Sequence, residues 1–214
     1  MNEYFTIIWT DRAPAADGFA DAARRQDGQL LACGAVQDVS ELDSRPAPEG
    51  LVIARFRTAE GANAWFDATG DRFDGTVLLA AGATEPVWWP SEMEPRRPDW
   101  SRSAEFPSDR LGQFVCVWAE ITDPEQFFDY SIHYRWTVED AGGVVLVPGP
   151  KPSQAVVRGG PGPDAMALMA WPADTHTRHA WYEGSRYRPY RDQRHRSSHT
   201  TNVSVRALLL DANS

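Results

Sequence analysis

Five arginines, Arg186, Arg188, Arg191, Arg194 and Arg196, crowd one short stretch, interleaved with Tyr187, Tyr190 and His195 and offset only by Asp192. A guanidinium is a planar fork of donors that suits a carboxylate, phenolate or enolate oxygen, and neighbouring phenols add further donors. In a helix opened near Pro189, Tyr190, Arg194 and Ser197 share a face while Arg196 lies away from it, so Arg194 is the arginine expected to point inward. The competing expectation is a solvated basic face, with Arg194 tied to a structural carboxylate.

A second concentration lies upstream. Phe127, Tyr130, Ser131, Tyr134 and Val138 recur at helical spacing and define one inward face, with His133 on its flank. A phenol or imidazole there could move a proton at a cavity edge, so His133, Tyr134 and Arg194 form the candidate catalytic set. Trp118, Tyr130, Trp171, Trp181, Tyr187, Tyr190 and His195 are the candidate substrate-binding residues, because an aromatic-lined cavity holds a flat organic ligand. The tryptophans that match between the two series, Trp118, Trp171 and Trp181 among them, are more simply explained by inherited core packing. His176 with His179, and His195 with His199, could each present two imidazoles, yet no nearby carboxylate or cysteine completes a ligand set, and no metal site is expected. Phosphate loops and nucleophile elbows are missing, so no cofactor is expected. Lys151, the only lysine, is flanked by prolines and reads as a loop tip rather than a Schiff-base former.

The elements that must position these residues come in two series. Phe5-Thr6-Ile7-Ile8-Trp9 returns as Phe114-Val115-Cys116-Val117-Trp118, and the later landmarks follow in order. Gly28 to Gly34 corresponds to Gly143 to Gly149, Leu51 to Phe56 corresponds to Met166 to Trp171, and Trp65-Phe66-Asp67 corresponds to Trp181-Tyr182-Glu183. Asp11 and Glu120 also match, two residues beyond the matched tryptophans. The chain therefore reads as one small fold written twice. Each series runs strand, helix, strand, strand, helix, strand. Asp123-Pro124 opens a helix by N-cap and first-turn proline, and Gly142-Gly143 ends it. The strands expected beyond it are Val144–Val147, Ala165–Trp171 and Val203–Leu209.

The expected domains are 1–90, a diverged first ferredoxin-like unit, 91–112, a proline-rich linker, and 113–214, a second unit. A βαββαβ unit places both helices on one face of a four-stranded sheet and leaves the other apolar face bare. Two units in one chain can press those faces together. The expected fold class is α+β, with two tandem ferredoxin-like units closed into a pseudo-dimeric α+β barrel.

A chain of 214 residues with nine tryptophans can bury a sizeable core, and its formal charge of −9 argues against nucleic acid as a partner. The acidity sits in residues 1–107, where 18 Asp and Glu face 10 Arg and Lys, against 12 and 11 in residues 108–214. No run approaches the ~18 apolar residues of a membrane span, and strand-like sequence begins almost at Met1, so no membrane and a cytoplasmic location are expected. Cys33 and Cys116 occupy positions that do not correspond between the series, and free thiols are expected.

The second series, Ile121-Thr-Asp-Pro-Glu-Gln-Phe127 with Tyr130, then Gly142-Gly143, then Ala180-Trp181-Tyr182-Glu-Gly-Ser185 with Tyr187, then Arg191, Arg194 and Asn202-Val203, resembles the bacterial family known as domain of unknown function 1330. That resemblance implies the dimeric α+β barrel superfamily, and here a pseudo-dimer in place of a homodimer, with self-association through helices still open. The first series replaces the Tyr187, Arg191 and Arg194 stretch with the short Thr69 to Gly75. At Arg158-Gly159 the family more often has an acidic residue before glycine. The family supplies no reaction.

The superfamily resemblance favours a cofactor-independent enzyme of secondary metabolism acting on a small aromatic or polyketide-like metabolite by cyclisation, isomerisation or oxygenation. Its ligand would be aromatic and anionic. In that scheme Arg194 and Tyr187 stabilise an oxyanion while His133 or Tyr134 moves a proton. The alternative is a non-catalytic protein that binds a small anion or haem.

Overall fold

In the computed structural model, the described residues are 3–15, 17–43, 45–81, 111–150, 154–159 and 161–208. The first unit contains β1 (Tyr4–Thr10), α1 (Phe19–Arg24), β2 (Gly28–Leu42), β3 (Gly50–Phe56), α2 (Ala59–Thr69) and β4 (Gly75–Ala81). The second contains β5 (Leu111–Ile121), α3 (Pro124–Asp140), β6 (Val144–Pro150), β7 (Gln154–Arg158), β8 (Ala165–Pro172), α4 (Thr175–Glu183), α5 (Arg188–Ser197) and β9 (Ser198–Arg206). The linker expected over 91–112 lies outside the described residues except for Leu111 and Gly112, which open β5.

Nine strands form one sheet in the order β6-β8-β5-β9-β2-β3-β1-β4-β7. Within it, β2-β3-β1-β4 and β6-β8-β5-β9 follow the same antiparallel order, and β2 and β9 pair where the units meet. β6 and β7 stand at opposite ends of the strand order but are separated by only residues 151–153, so one stretch of chain joins both ends and the sheet curls into a barrel. The molecule is thus two tandem ferredoxin-like units forming a pseudo-dimeric α+β barrel.

Side-chain alternation sets the layers. Phe5, Ile7, Trp9, Leu51, Ile53, Phe114, Cys116, Trp118, Met166, Leu168, Val203 and Val205 fill the barrel interior. Opposite-parity residues face outward beneath helices: Ile8, Val52 and Ala54 pack with Phe19, Trp65 and Phe73 in the first unit. Val115, Val117, Ala119 and Met169 pack with Phe127, Tyr130, Tyr134 and Trp181 in the second. This explains why the strands are apolar at both parities.

α3 begins as its sequence requires, with the Asp123 side chain accepting from Gln126 N at 3.1 Å and Pro124 in the first turn. Two features exceed the sequence expectation. β2 continues far past its β3 pairing, and its polar second half, Val36 to Leu42, pairs with β9 through two register shifts. β9 itself starts at Ser198, not Val203, because the polar run Ser198–Asn202 gains backbone partners on β5. On the other side β7 pairs with β4, and the Arg158 guanidinium donates to Gly70 O at 2.6 Å and to Phe73 O. Each unit thus sends a strand extension across to the other.

Candidate active site

The second unit's helical layer places its charged groups where the two units meet. α5 buries Arg194 and Ser197, half-buries Tyr190 and exposes Arg196, as helical spacing requires. Arg194 is 1% exposed. Its terminal nitrogen is bonded to Glu41 Oε1 on the β2 extension of the first unit. The same oxygen accepts from the Tyr182 hydroxyl and lies 2.9 Å from His195 Nε2, while Oε2 accepts from Thr200 Oγ1. Against the upward push of burial, the Arg194 charge and the hydrogen bonds from His195, Thr200 and Tyr182 hold the Glu41 carboxyl down at about 2.

This contact belongs to a series. Arg178 on α4, 4% exposed, donates to Asp38 Oδ2 at 2.5 Å and to Ser40 Oγ at 3.0 Å. His199 Nδ1 lies 2.8 Å from Asp43 Oδ2. Asp38, Glu41 and Asp43 of the acidic first unit therefore receive Arg178, Arg194 with His195, and His199 of the second. Of the histidine pairs proposed from spacing, His195 and His199 turn to different acids, Glu41 and Asp43. Among the described residues no group of three or more His, Cys, Asp or Glu could hold a metal ion.

Beneath α3 lies a cavity of about 20 Å³, lined by Val117, Ala119, Phe127, Tyr130, Ser131, Tyr134, Pro148, Ala165, Ala167 and Arg194. That is room for about one water molecule. The Arg194 guanidinium carbon sits 5.9 Å from the Tyr130 ring centroid, and its Nε is buried without a hydrogen-bond partner. Burial pushes the Tyr130, Tyr134 and Tyr187 phenols up, so all three are protonated donors at neutral pH. Tyr134 donates to Pro148 O at 3.1 Å. The Tyr187 hydroxyl is buried beside that of Tyr130 but outside regular hydrogen-bond geometry. Burial pushes the Arg194 pKa down, but its neighbours, the Glu41 carboxylate among them, raise it on balance, so Arg194 stays charged.

Of the expected catalytic set, Tyr134 and Arg194 reach this cavity and His133 does not. The His133 ring stacks on Tyr190 at 5.3 Å and lies 3.9 Å from Asp129 Oδ1, on the outer side of α3. A flank position at helical spacing does not fix the side from which a neighbouring helix packs. Of the expected binding residues, only Tyr130 lines the cavity. Tyr187 and Trp181 stack at 4.0 Å behind it, with Trp171 5.0 Å from Trp181 and the Trp181 indole donating to Thr137 Oγ1 at 3.0 Å. Tyr190 is outside with His133, and His195 is on Glu41. Trp118 occupies the opposite face of β5, inside the barrel, 5.3 Å from Trp9 and beneath Arg45 at 4.3 Å. Strand parity, legible in Val115, Val117 and Ala119, separates it from the pocket.

Glu41 was not among the expected site residues. It lies in the polar stretch Val36-Gln37-Asp38-Val39-Ser40-Glu41, whose two valines stand three residues apart and fall on opposite strand faces, so no period marks Glu41 as inward. Haem would require an imidazole presented to a space of macrocycle size. The His133 ring is stacked on Tyr190 and is not among the residues lining the cavity, so His133 is not placed to hold haem there.

Residues 113–208 match the family model described as domain of unknown function DUF1330. The matched segment is the second unit, which carries the pocket and its arginine. No match was found among curated proteins. Among solved structures the chain is similar to a candidate monooxygenase from Fusobacterium nucleatum, with a TM-score of 0.52 at 9% identity, covering 97% of this chain and 92% of that one. It is likewise similar to a variant chlorite dismutase from Candidatus Nitrospira defluvii, with a TM-score of 0.50 at 9% identity, covering 96% and 91%. These likenesses show the dimeric α+β barrel fold. No described helix is long and apolar enough to cross a membrane.

Proposed function

We propose that the protein is a cofactor-independent enzyme acting on a small aromatic or polyketide-like metabolite in the second unit, by cyclisation, isomerisation or oxygenation. It carries two copies of one ferredoxin-like unit, of which the second keeps the pocket. The observation that carries this reading is that Arg194, Tyr130 and Tyr134 all line one cavity between the sheet and α3. Donors fixed in a water-poor site are suited to a substrate oxygen on which negative charge develops. In this scheme Tyr130 and Arg194 hold that oxygen, with Tyr187 behind them.

The cavity of about 20 Å³ is far below the hundreds of Å³ of an occupied pocket, so this reading needs the site to open for its ligand. Entry requires α3 to move from the sheet. α3 is tied to α5 by the His133–Tyr190 stack and by Gln193 Nε2, which donates to Asp129 Oδ2 at 2.6 Å and to Gln126 O at 3.2 Å. A non-catalytic binding role is the second reading. It is favoured by the absence of a free base among the cavity-lining residues, since Glu41 is held at about 2 by its partners and does not itself line the cavity.

Incubating the purified protein with a panel of hydroxylated polycyclic aromatics, with and without dioxygen, tests the reading. Turnover lost in Tyr130→Phe, with the fold retained by circular dichroism, is the expected result. Turnover indifferent to Tyr130→Phe places the chemistry elsewhere, and binding without turnover supports the second reading.

A further inference from the structure

We infer that the pocket beneath α3 selects a neutral oxygen-bearing ligand, a phenol or ketone, over an organic anion of the same size, because Glu41 of the first unit already neutralises Arg194. This rests on the proposed site in the second unit. The charges at the cavity cancel: among the described residues Arg194 is the only charged one lining it, and Glu41 is bonded to its terminal nitrogen. The rest of the lining is Val117, Ala119, Phe127, Ala165, Ala167 and Pro148 with hydroxyls. An anion placed there would sit in an apolar shell beside a cation whose field is spent on a nearer carboxylate, and its desolvation would go uncompensated. A carbonyl or phenolic oxygen asks only for a donor, and Tyr130 supplies one.

The same arrangement makes the pocket depend on both units. Glu41 is a positioning residue: it fixes a terminal nitrogen of Arg194, whose guanidinium carbon lies 5.9 Å from the Tyr130 ring centroid and which itself lines the cavity. Tyr182, His195 and Thr200 hold Glu41 in turn, so rotation of the carboxylate away from Arg194 would break several bonds together.

The test compares phenol and benzoate, small aromatic probes of which only benzoate is charged at neutral pH, by calorimetric titration of the full chain. Wild type is expected to bind phenol at least about tenfold more tightly than benzoate, a difference within the ordinary reach of one interaction. Both affinities should respond to Tyr130→Phe. Glu41→Gln leaves Arg194 uncompensated and is expected to shift the ratio toward benzoate by about tenfold or more. Where that variant does not fold, the double substitution Glu41→Leu with Arg194→Leu removes both charges, and the preference for phenol should persist. Benzoate binding as tight as phenol in wild type and lost in the double variant would overturn the inference while leaving the pocket in place. If neither probe binds, or if binding ignores Tyr130→Phe, the pocket reading itself fails.

Discussion

Glu41 holds four side chains at once, and its removal should be felt in stability before anything else. Arg194→Met, which keeps much of the aliphatic stem, leaves Glu41 buried without its cation. The expected cost is about 3–5 kcal/mol, the scale of breaking a buried ion pair by removing one partner. Urea denaturation followed by tryptophan fluorescence measures it, and a loss under about 1 kcal/mol would show the pair to be solvated. Arg194→Met is therefore a poor probe of ligand binding, and Tyr130→Phe a better one.

The same carboxylate predicts an acid response. Folding lowers Glu41 from its ordinary 4.5 to about 2, so between those values the unfolded chain binds more protons than the native one. Stability from this group is complete above about pH 4.5 and is lost as the pH falls toward about 2. Denaturation of wild type and Glu41→Gln across that window should show the wild-type advantage shrinking on acidification. A constant advantage would mean that Glu41 is not the titrating group. Arg194 and His195 were visible as residues of interest by type alone, but their partner was not, because a single glutamate in a polar stretch has no signature of its own.

At the scale of elements, local chemistry decided most boundaries. Asp123 caps α3, and Asp123→Ala should cost about 1 kcal/mol, read from the denaturation midpoint. A change of a few tenths would show that Pro124 and packing define the helix start alone. Gly75 opens β4 at φ 135°, where an added Cβ would stand 1.9 Å from Trp9 O. Gly75→Ala should destabilise beyond the cap substitution, since the backbone would have to move at a β1–β4 pair. The inward face of α3 was legible from spacing, since Phe127, Tyr130, Ser131, Tyr134 and Val138 are all buried. The orientation of His133 was not, because it depends on α5 packing beside it.

For the whole molecule, neither unit is complete. Residues 113–214 alone would expose Phe114, Trp118, Met166, Leu168, Val203 and Val205, and would leave Arg178 and Arg194 without Asp38 and Glu41. Such a fragment is expected to dimerise or aggregate, because soluble monomers rarely expose so large an apolar face. Sedimentation velocity checks this, and a stable monomer would contradict the shared core. The uneven charge of the two halves gains a reason here, since acids of the first unit meet arginines and histidines of the second.

The sequence by itself determined the βαββαβ order of each unit, the inward face of α3, the burial of Arg194 and the need for a second sheet face, because period, caps and uncovered apolar area are properties of neighbouring residues. Only the tertiary structure decided that β2 runs on to pair with β9, that Arg194 meets Glu41, and that Trp118 belongs to the barrel rather than the pocket. Those outcomes join residues far apart in the chain through register and bulges between strands of different units, and no local pattern in either partner encodes the other.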